Sequence, residues 1–113
     1  MIHFTLAIPY KTLGCWKDSL PRALTSAEGK SDILGGGSYR WRENPIQKCY
    51  DTAKSFGQNI FAVQDGGQCF TSEGGDKSHE VYGPSSECRS DGEGGPMANE
   101  VYEIQAGRYL TFT

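Results

Sequence analysis

The sequence predicts an α+β fold: one helix packed on a small, mostly antiparallel sheet, with long loops stapled by two disulfides. Three observations carry this. Asn44–Phe56 places apolar residues at helical spacing between a start signal and a stop signal. Asn59–Val63 ("NIFAV") and Gln68–Thr71 ("QCFT") are short strand-like runs joined by Asp65-Gly66-Gly67. Finally, the chain has 36% hydrophobic residues, 15 glycines and four cysteines in 113 residues. A core that sparse needs covalent help.

The elements follow in order. Ile2, Phe4, Leu6 and Ile8 alternate with smaller or polar residues, so Ile2–Ile8 reads as a strand ended by Pro9. Leu13–Lys17 is a second short strand. Ser19–Gly37 is loop, with Leu24, Ile33 and Leu34 tacking it to the core. Asn44 is placed to cap the helix and Pro45 suits its first position. Ile46, Cys49, Ala53 and Phe56 form the apolar face, Lys48, Asp51 and Lys54 face water, and Gly57 stops the helix. Ser72–Asp91 is mostly polar, with Val81 and Tyr82 as anchors. Glu100–Gln105 and Arg108–Phe112 read as a hairpin around Ala106-Gly107.

Length points to one domain spanning 1–113. Net charge is −3, from 11 basic and 14 acidic residues without a basic run, which speaks against nucleic acid as partner. No apolar run is long enough to span a bilayer, so membrane insertion is not expected. Met1–Ile8 lacks the cationic start and cleavage site of a signal peptide, so a secreted form would already have lost its leader.

Cys15, Cys49, Cys69 and Cys88 have no CxxC pair, unlike zinc or thioredoxin-type motifs. Two disulfides in an oxidising compartment is the preferred reading; four free thiols in a reducing one is the alternative. Of three connectivities, Cys49–Cys69 is expected because the helix should pack on the strand that follows it. That leaves Cys15 for Cys88.

The order of motifs carries a resemblance. "LGCWKD" (Leu13–Asp18), "RAL" (Arg22–Leu24) and "EG" (Glu28-Gly29) are followed by "IQKCYDTAKSFG" (Ile46–Gly57) and "FAVQDGGQCFTS" (Phe61–Ser72). The series closes with "YGPSSECRSDGEGGPMANEVYEI" (Tyr82–Ile104). It resembles a small extracellular cysteine-rich module of marine invertebrate multidomain proteins and, distantly, the WSC domain. WSC domains usually carry eight cysteines; here Ala53 and the Phe70-Thr71 pair stand where two of the others would be. The resemblance covers a module core of about 13–104. It implies a secreted or cell-surface module of the kind proposed to bind carbohydrate.

Two polar loops are the candidate site. Asp91-Gly92-Glu93-Gly94-Gly95 combines hard oxygen donors with permissive backbone, which suits calcium or sugar hydroxyls, and Asn99 could add an amide. The spacing is not that of an EF-hand, and a solvated turn would look the same. Gln64 and Asp65 are expected opposite, at the rim of a strand end, although Asp65-Gly66 also suits an ordinary turn. Trp41, in "YRWRENP", is the aromatic best placed to stack on a sugar ring; arginine stacking on it is the competing reading. Trp16, beside Cys15, reads as core. Asp18 and Arg22 are expected to pair with each other.

Catalysis finds no support: His3 and His79 are isolated and no nucleophile or metal motif occurs. The leading function is thus an extracellular carbohydrate-binding, lectin-like module, with calcium as an optional helper, rather than an enzyme. The alternative is a structural or adhesive module without a small-ligand site. Ile2–Ile8 and Arg108–Thr113 lie outside the matched core. They are expected either to join two copies through an edge or to pair with each other.

Overall fold

In the computed structural model the described residues are 4–6, 9–74, 77–105 and 110–112, with backbone alone for the two terminal strands. Seven strands and one helix follow in order: β1 (Phe4–Leu6), β2 (Tyr10–Lys17), β3 (Thr25–Ser26), α1 (Pro45–Ser55), β4 (Ile60–Gln64), β5 (Gln68–Ser72), β6 (Ala98–Ile104) and β7 (Leu110–Phe112). Five strands form one antiparallel sheet in the order β2-β6-β4-β5-β3, and β1 pairs with β7 in a separate ribbon. The fold is therefore α+β, with Cys15–Cys88 and Cys49–Cys69 bonded as expected.

β4 is the centre of the sheet and all five of its residues are buried. Strand alternation sends Phe61 and Val63 to one face and Ile60 and Ala62 to the other, so each face needs a cover. On the first face, α1 contributes Cys49, Tyr50 and Ala53 against Phe61, Val63, Cys69 and Tyr102. The Phe61 and Tyr102 rings stack there, 5.0 Å apart and 17° from parallel. On the second face, Leu24 packs with Ile60, Ala62, Phe70 and Val101, flanked by Leu13 and Trp16. The sheet thus has two cores, one under a helix and one under a loop.

Several expectations change. The helix buries Pro45, Cys49, Tyr50, Thr52 and Ala53, whereas Phe56 is 39% exposed. Phe56 falls after the last helical residue, where the chain has already begun its exit. Gly57 N–H donates to Lys54 O (3.0 Å) and Gln58 N–H to Ala53 O (2.9 Å), the double bond pattern that closes a helix on a left-handed glycine, here at φ +71°. Asn44 does not cap with its side chain; it sits in the left-handed region at φ 49° and offers only its carbonyl, to Lys48 N–H.

The Ser19–Gly37 loop contains β3, which extends the sheet beyond β5. β2 begins three residues earlier than expected because Tyr10, Lys11 and Thr12 pair with Ile104, Glu103 and Tyr102. Ile33 is 38% and Val81 65% exposed, so neither is a core anchor. The Glu100–Gln105/Arg108–Phe112 hairpin is not formed: β6 has β2 on one side and β4 on the other, and β7 pairs with β1. The Ala106-Gly107 turn lies outside the described residues, as does His3. β1 and β7 satisfy each other within one chain, the more economical of the two expectations for those segments.

Candidate functional site

Three loops are woven together at the Gln64 end of β4. The first is the β4–β5 turn, in which Asp65 N–H donates to Gly95 O (3.1 Å) and Gly66 N–H to Glu93 O (3.0 Å). The second is the glycine-rich loop, whose Arg89 N–H closes on Gly94 O (3.0 Å). The third is the single helical turn Tyr39–Trp41, with Ser38 Oγ accepting from Arg40 N–H. Tyr39 donates its hydroxyl to Asp65 Oδ2 (2.8 Å), and the Arg40 guanidinium reaches the same oxygen (3.1 Å). The bond to Asp65, then burial and the Asp65 charge, push the Tyr39 hydroxyl above its usual range. The two polar loops singled out from sequence therefore do meet, through their backbones.

Arg42 locks this corner. Its side chain is 4% exposed. Nη1 and Nη2 meet both Glu28 oxygens at 2.9 and 2.8 Å, Nη1 also reaches Gly67 O (2.7 Å), and Nε reaches Leu34 O (3.1 Å). Burial alone would raise the Glu28 carboxyl. The Arg42 bonds, the Cys69 N–H (2.8 Å) and the Arg42 charge outweigh it and hold the group below its ordinary value. No sequence motif marks Arg42 or Glu28 for this task.

Trp41, between these fixed neighbours, is 84% exposed. Arg40 lies over the Tyr39 ring (5.2 Å) and takes the stacking role expected of an arginine on Trp41. Trp41 borders a shallow cleft of about 310 Å3 with Gly35–Gly37, Ser38, Glu43 and Lys48.

The glycines of the second loop make room for the fold itself. A Cβ on Gly94 would meet Val63 O at 2.2 Å and one on Gly95 would meet Glu87 O at 2.0 Å. One on Gly92 would meet the Tyr102 hydroxyl at 2.7 Å, which donates to Gly92 O. The missing side chains admit the protein's own atoms: backbone at Gly94 and Gly95, and the Tyr102 and Ile46 side chains at Gly92. Asp91 Oδ1 accepts from Glu93 N–H (2.9 Å) and shapes the turn. Burial and the nearby Asp91 charge raise the Glu93 carboxyl above its usual range.

Gln64 and Asn99 do not line the loop face. They are 2% and 0% exposed on the second face of the sheet. Gln64 Nε2 donates to Asn99 Oδ1 and Asp18 Oδ2, both 2.9 Å, and Arg22 pairs with Asp18 at 2.8 Å. The Asp18 carboxyl is lifted by burial but lowered further by donations from Ala23 N–H, Gln64, Arg22 and Ser19 N–H, so its net shift is downward. This network fastens the 18–23 segment to β4 and β6.

No family model and no curated protein matches the chain. The chemistry must be read from the face itself. It offers one large exposed indole, a fixed Arg40–Asp65 pair, and Asp91 and Glu93 beside the turn. Among the described residues no three His, Cys, Asp or Glu side chains gather as a metal site.

Proposed function

We propose that this chain is an extracellular carbohydrate-binding module whose loop face takes a sugar, with Trp41 as the stacking surface. The observation that carries the reading is a tryptophan 84% exposed on a turn whose neighbour Arg42 is fixed by hydrogen bonds to Leu34, Glu28 and Gly67. An indole left in water has no folding benefit, and a rigid one loses little entropy on contact with the apolar face of a pyranose. Ser38, Glu43 and Lys48, which border the cleft beside Trp41, are the polar groups that would meet hydroxyls there. The two disulfides are compatible with an oxidising, extracellular setting. The WSC-like order of motifs points the same way. A calcium-assisted form would rest on Asp91 and Glu93.

A glycan array run with and without calcium, on wild type and Trp41→Ala, tests this. Binding that disappears in Trp41→Ala supports the reading. A ligand held equally by both proteins removes Trp41 from it.

A second reading, an adhesive module, draws on exposed Leu20 (74%) and Met97 (44%). Arg22, two residues after Leu20 in the chain, donates to Met97 Sδ at 3.5 Å. Adsorption to apolar surfaces that survives Trp41→Ala would favour it.

A further inference from the structure

β2 is an edge strand of the five-stranded sheet. Residues 83–85 cover one half of its outer side: Lys17 N–H donates to Gly83 O (2.9 Å) and Ser85 N–H to Cys15 O (3.0 Å). Among the described residues no strand or bridge continues along residues 10–12. The direction of the groups there follows from the ladder. Gln105 N–H donates to Pro9 O (2.7 Å), and hydrogen-bonded pairs recur every second residue. Lys11 and Glu103 are therefore the next such pair, and Tyr10 and Thr12 turn their N–H and C=O away from β6. Ile104, opposite Tyr10, agrees, since its N–H goes the other way, to Asn59 O (2.8 Å). Four backbone groups thus face outward on the open half of an edge, where another strand can add.

A groove of about 530 Å3 flanks this half of β2 on the α1 side, within the range for ligand sites, about 300–1,000 Å3. Tyr10, Thr12 and Tyr102 line it, with Gly92 on the loop side. The Tyr10 ring stands edge-on to Phe61 and Tyr102, both at 5.4 Å, which fixes that wall. The charged lining is mixed, Lys11 and Arg89 with Glu100, and Glu100 accepts from the Thr12 hydroxyl (2.7 Å), so net charge does not choose the occupant. Strand alternation does. Tyr10 and Thr12 face the groove, and Lys11 points to the other face, where Glu103 stands 3.6 Å away. We propose that the open half of β2 takes an extended segment of a partner protein as an added antiparallel strand, with an acidic residue opposite Lys11 and an apolar residue on each side of it. The acid would set Lys11 between two carboxylates, and the apolar side chains would lie along Tyr10 and the groove. A second copy of this chain fits less well. Two such edges paired about a two-fold axis would place Lys11 directly opposite its own counterpart, and like charges there destabilise a sheet. The site needs neither Trp41 nor its cleft.

The test uses the peptide acetyl-Ser-Val-Glu-Phe-Ser-amide as the probe, with a counterpart carrying Lys in place of Glu. The backbone amides of Tyr10 and Thr12 are the reporters by heteronuclear NMR. The Glu peptide should move both signals and leave the Trp41 indole signal in place. In the added strand the Val and Phe N–H groups point to β2 and the Glu N–H points away. N-methylation of Val or Phe should therefore abolish binding, and N-methylation of Glu should leave it. The Lys peptide should bind up to about fivefold more weakly, and Lys11→Glu should reverse that order. Unmoved Tyr10 and Thr12 signals at millimolar peptide, or binding indifferent to which amide is methylated, would overturn the added strand. Equal binding of the two peptides would overturn the acidic partner. Movement of the same signals with protein concentration alone would overturn the partner protein in favour of a second copy.

Discussion

Gly94 and Gly36 look alike in the sequence and have opposite roles in the structure. Gly94 has φ +75° and backbone oxygens within 3 Å of where a Cβ would stand, while Gly36 has open space around it. Gly94→Ala should therefore cost several kcal/mol, among the large effects reserved for backbone conflict, and Gly36→Ala should be near neutral. Urea unfolding of both separates them. Arg42 is legible only in three dimensions: its partners Leu34, Glu28 and Gly67 lie 8, 14 and 25 residues away along the chain. Arg42→Ala should cost about 3 kcal/mol, the low end for breaking a buried pair because Glu28 keeps some contact with water. Arg42→Lys should not restore it, since an ammonium cannot make the forked contact. Glu28 and Asp18 also set an acid limit. Their folded carboxyls lie below the ordinary values of 4.5 and 3.8, so their contribution is complete above those values and is lost as pH falls through the lower, folded ones. The stability gap between wild type and Glu28→Gln should be constant near neutrality and close as pH falls below the ordinary value of 4.5. A gap that persists at low pH would contradict the assignment.

At the scale of elements, the helix was legible because its spacing, Pro45 and Gly57 agree with one another. Its phase was legible through Cys49 and Ala53. Phe56 was misplaced because spacing alone does not say where the last turn ends. Phe56→Ala should accordingly cost about 1 kcal/mol or less, against the 3–5 expected of a buried ring. β3 escaped notice because two residues, Thr25 and Ser26, carry no period. The β6–β7 hairpin was inferred from adjacency along the chain, but β6 already has a partner on each edge. The disulfide pairing was legible from helix-on-strand packing. Replacing Cys15 and Cys88 together by Ala should cost about 4 to 5 kcal/mol, because their loop is far longer than the one closed by Cys49–Cys69, worth about 3.

For the whole molecule, the predicted site was half legible. Asp65 and the Asp91–Glu93 loop do come together, and Trp41 stands exposed at a cleft with Ser38, Glu43 and Lys48. Gln64 and Asn99 are polar residues on strands, and in sequence a buried amide network looks the same as a ligand rim. The three-glycine loop was the least legible part, since close approach of a ligand and close approach of the protein's own chain call for the same residue. The proposed function turns on Trp41 stacking on a sugar. The most direct measurement is titration calorimetry of wild type, Trp41→Ala and Asp91→Asn with the strongest array ligand. Wild type should bind measurably, Trp41→Ala should lose that binding, and the unfolding midpoint of that variant should be unchanged. Asp91→Asn should weaken binding less, its carboxylate being tied to Glu93 N–H. Undiminished affinity in Trp41→Ala would contradict the claim.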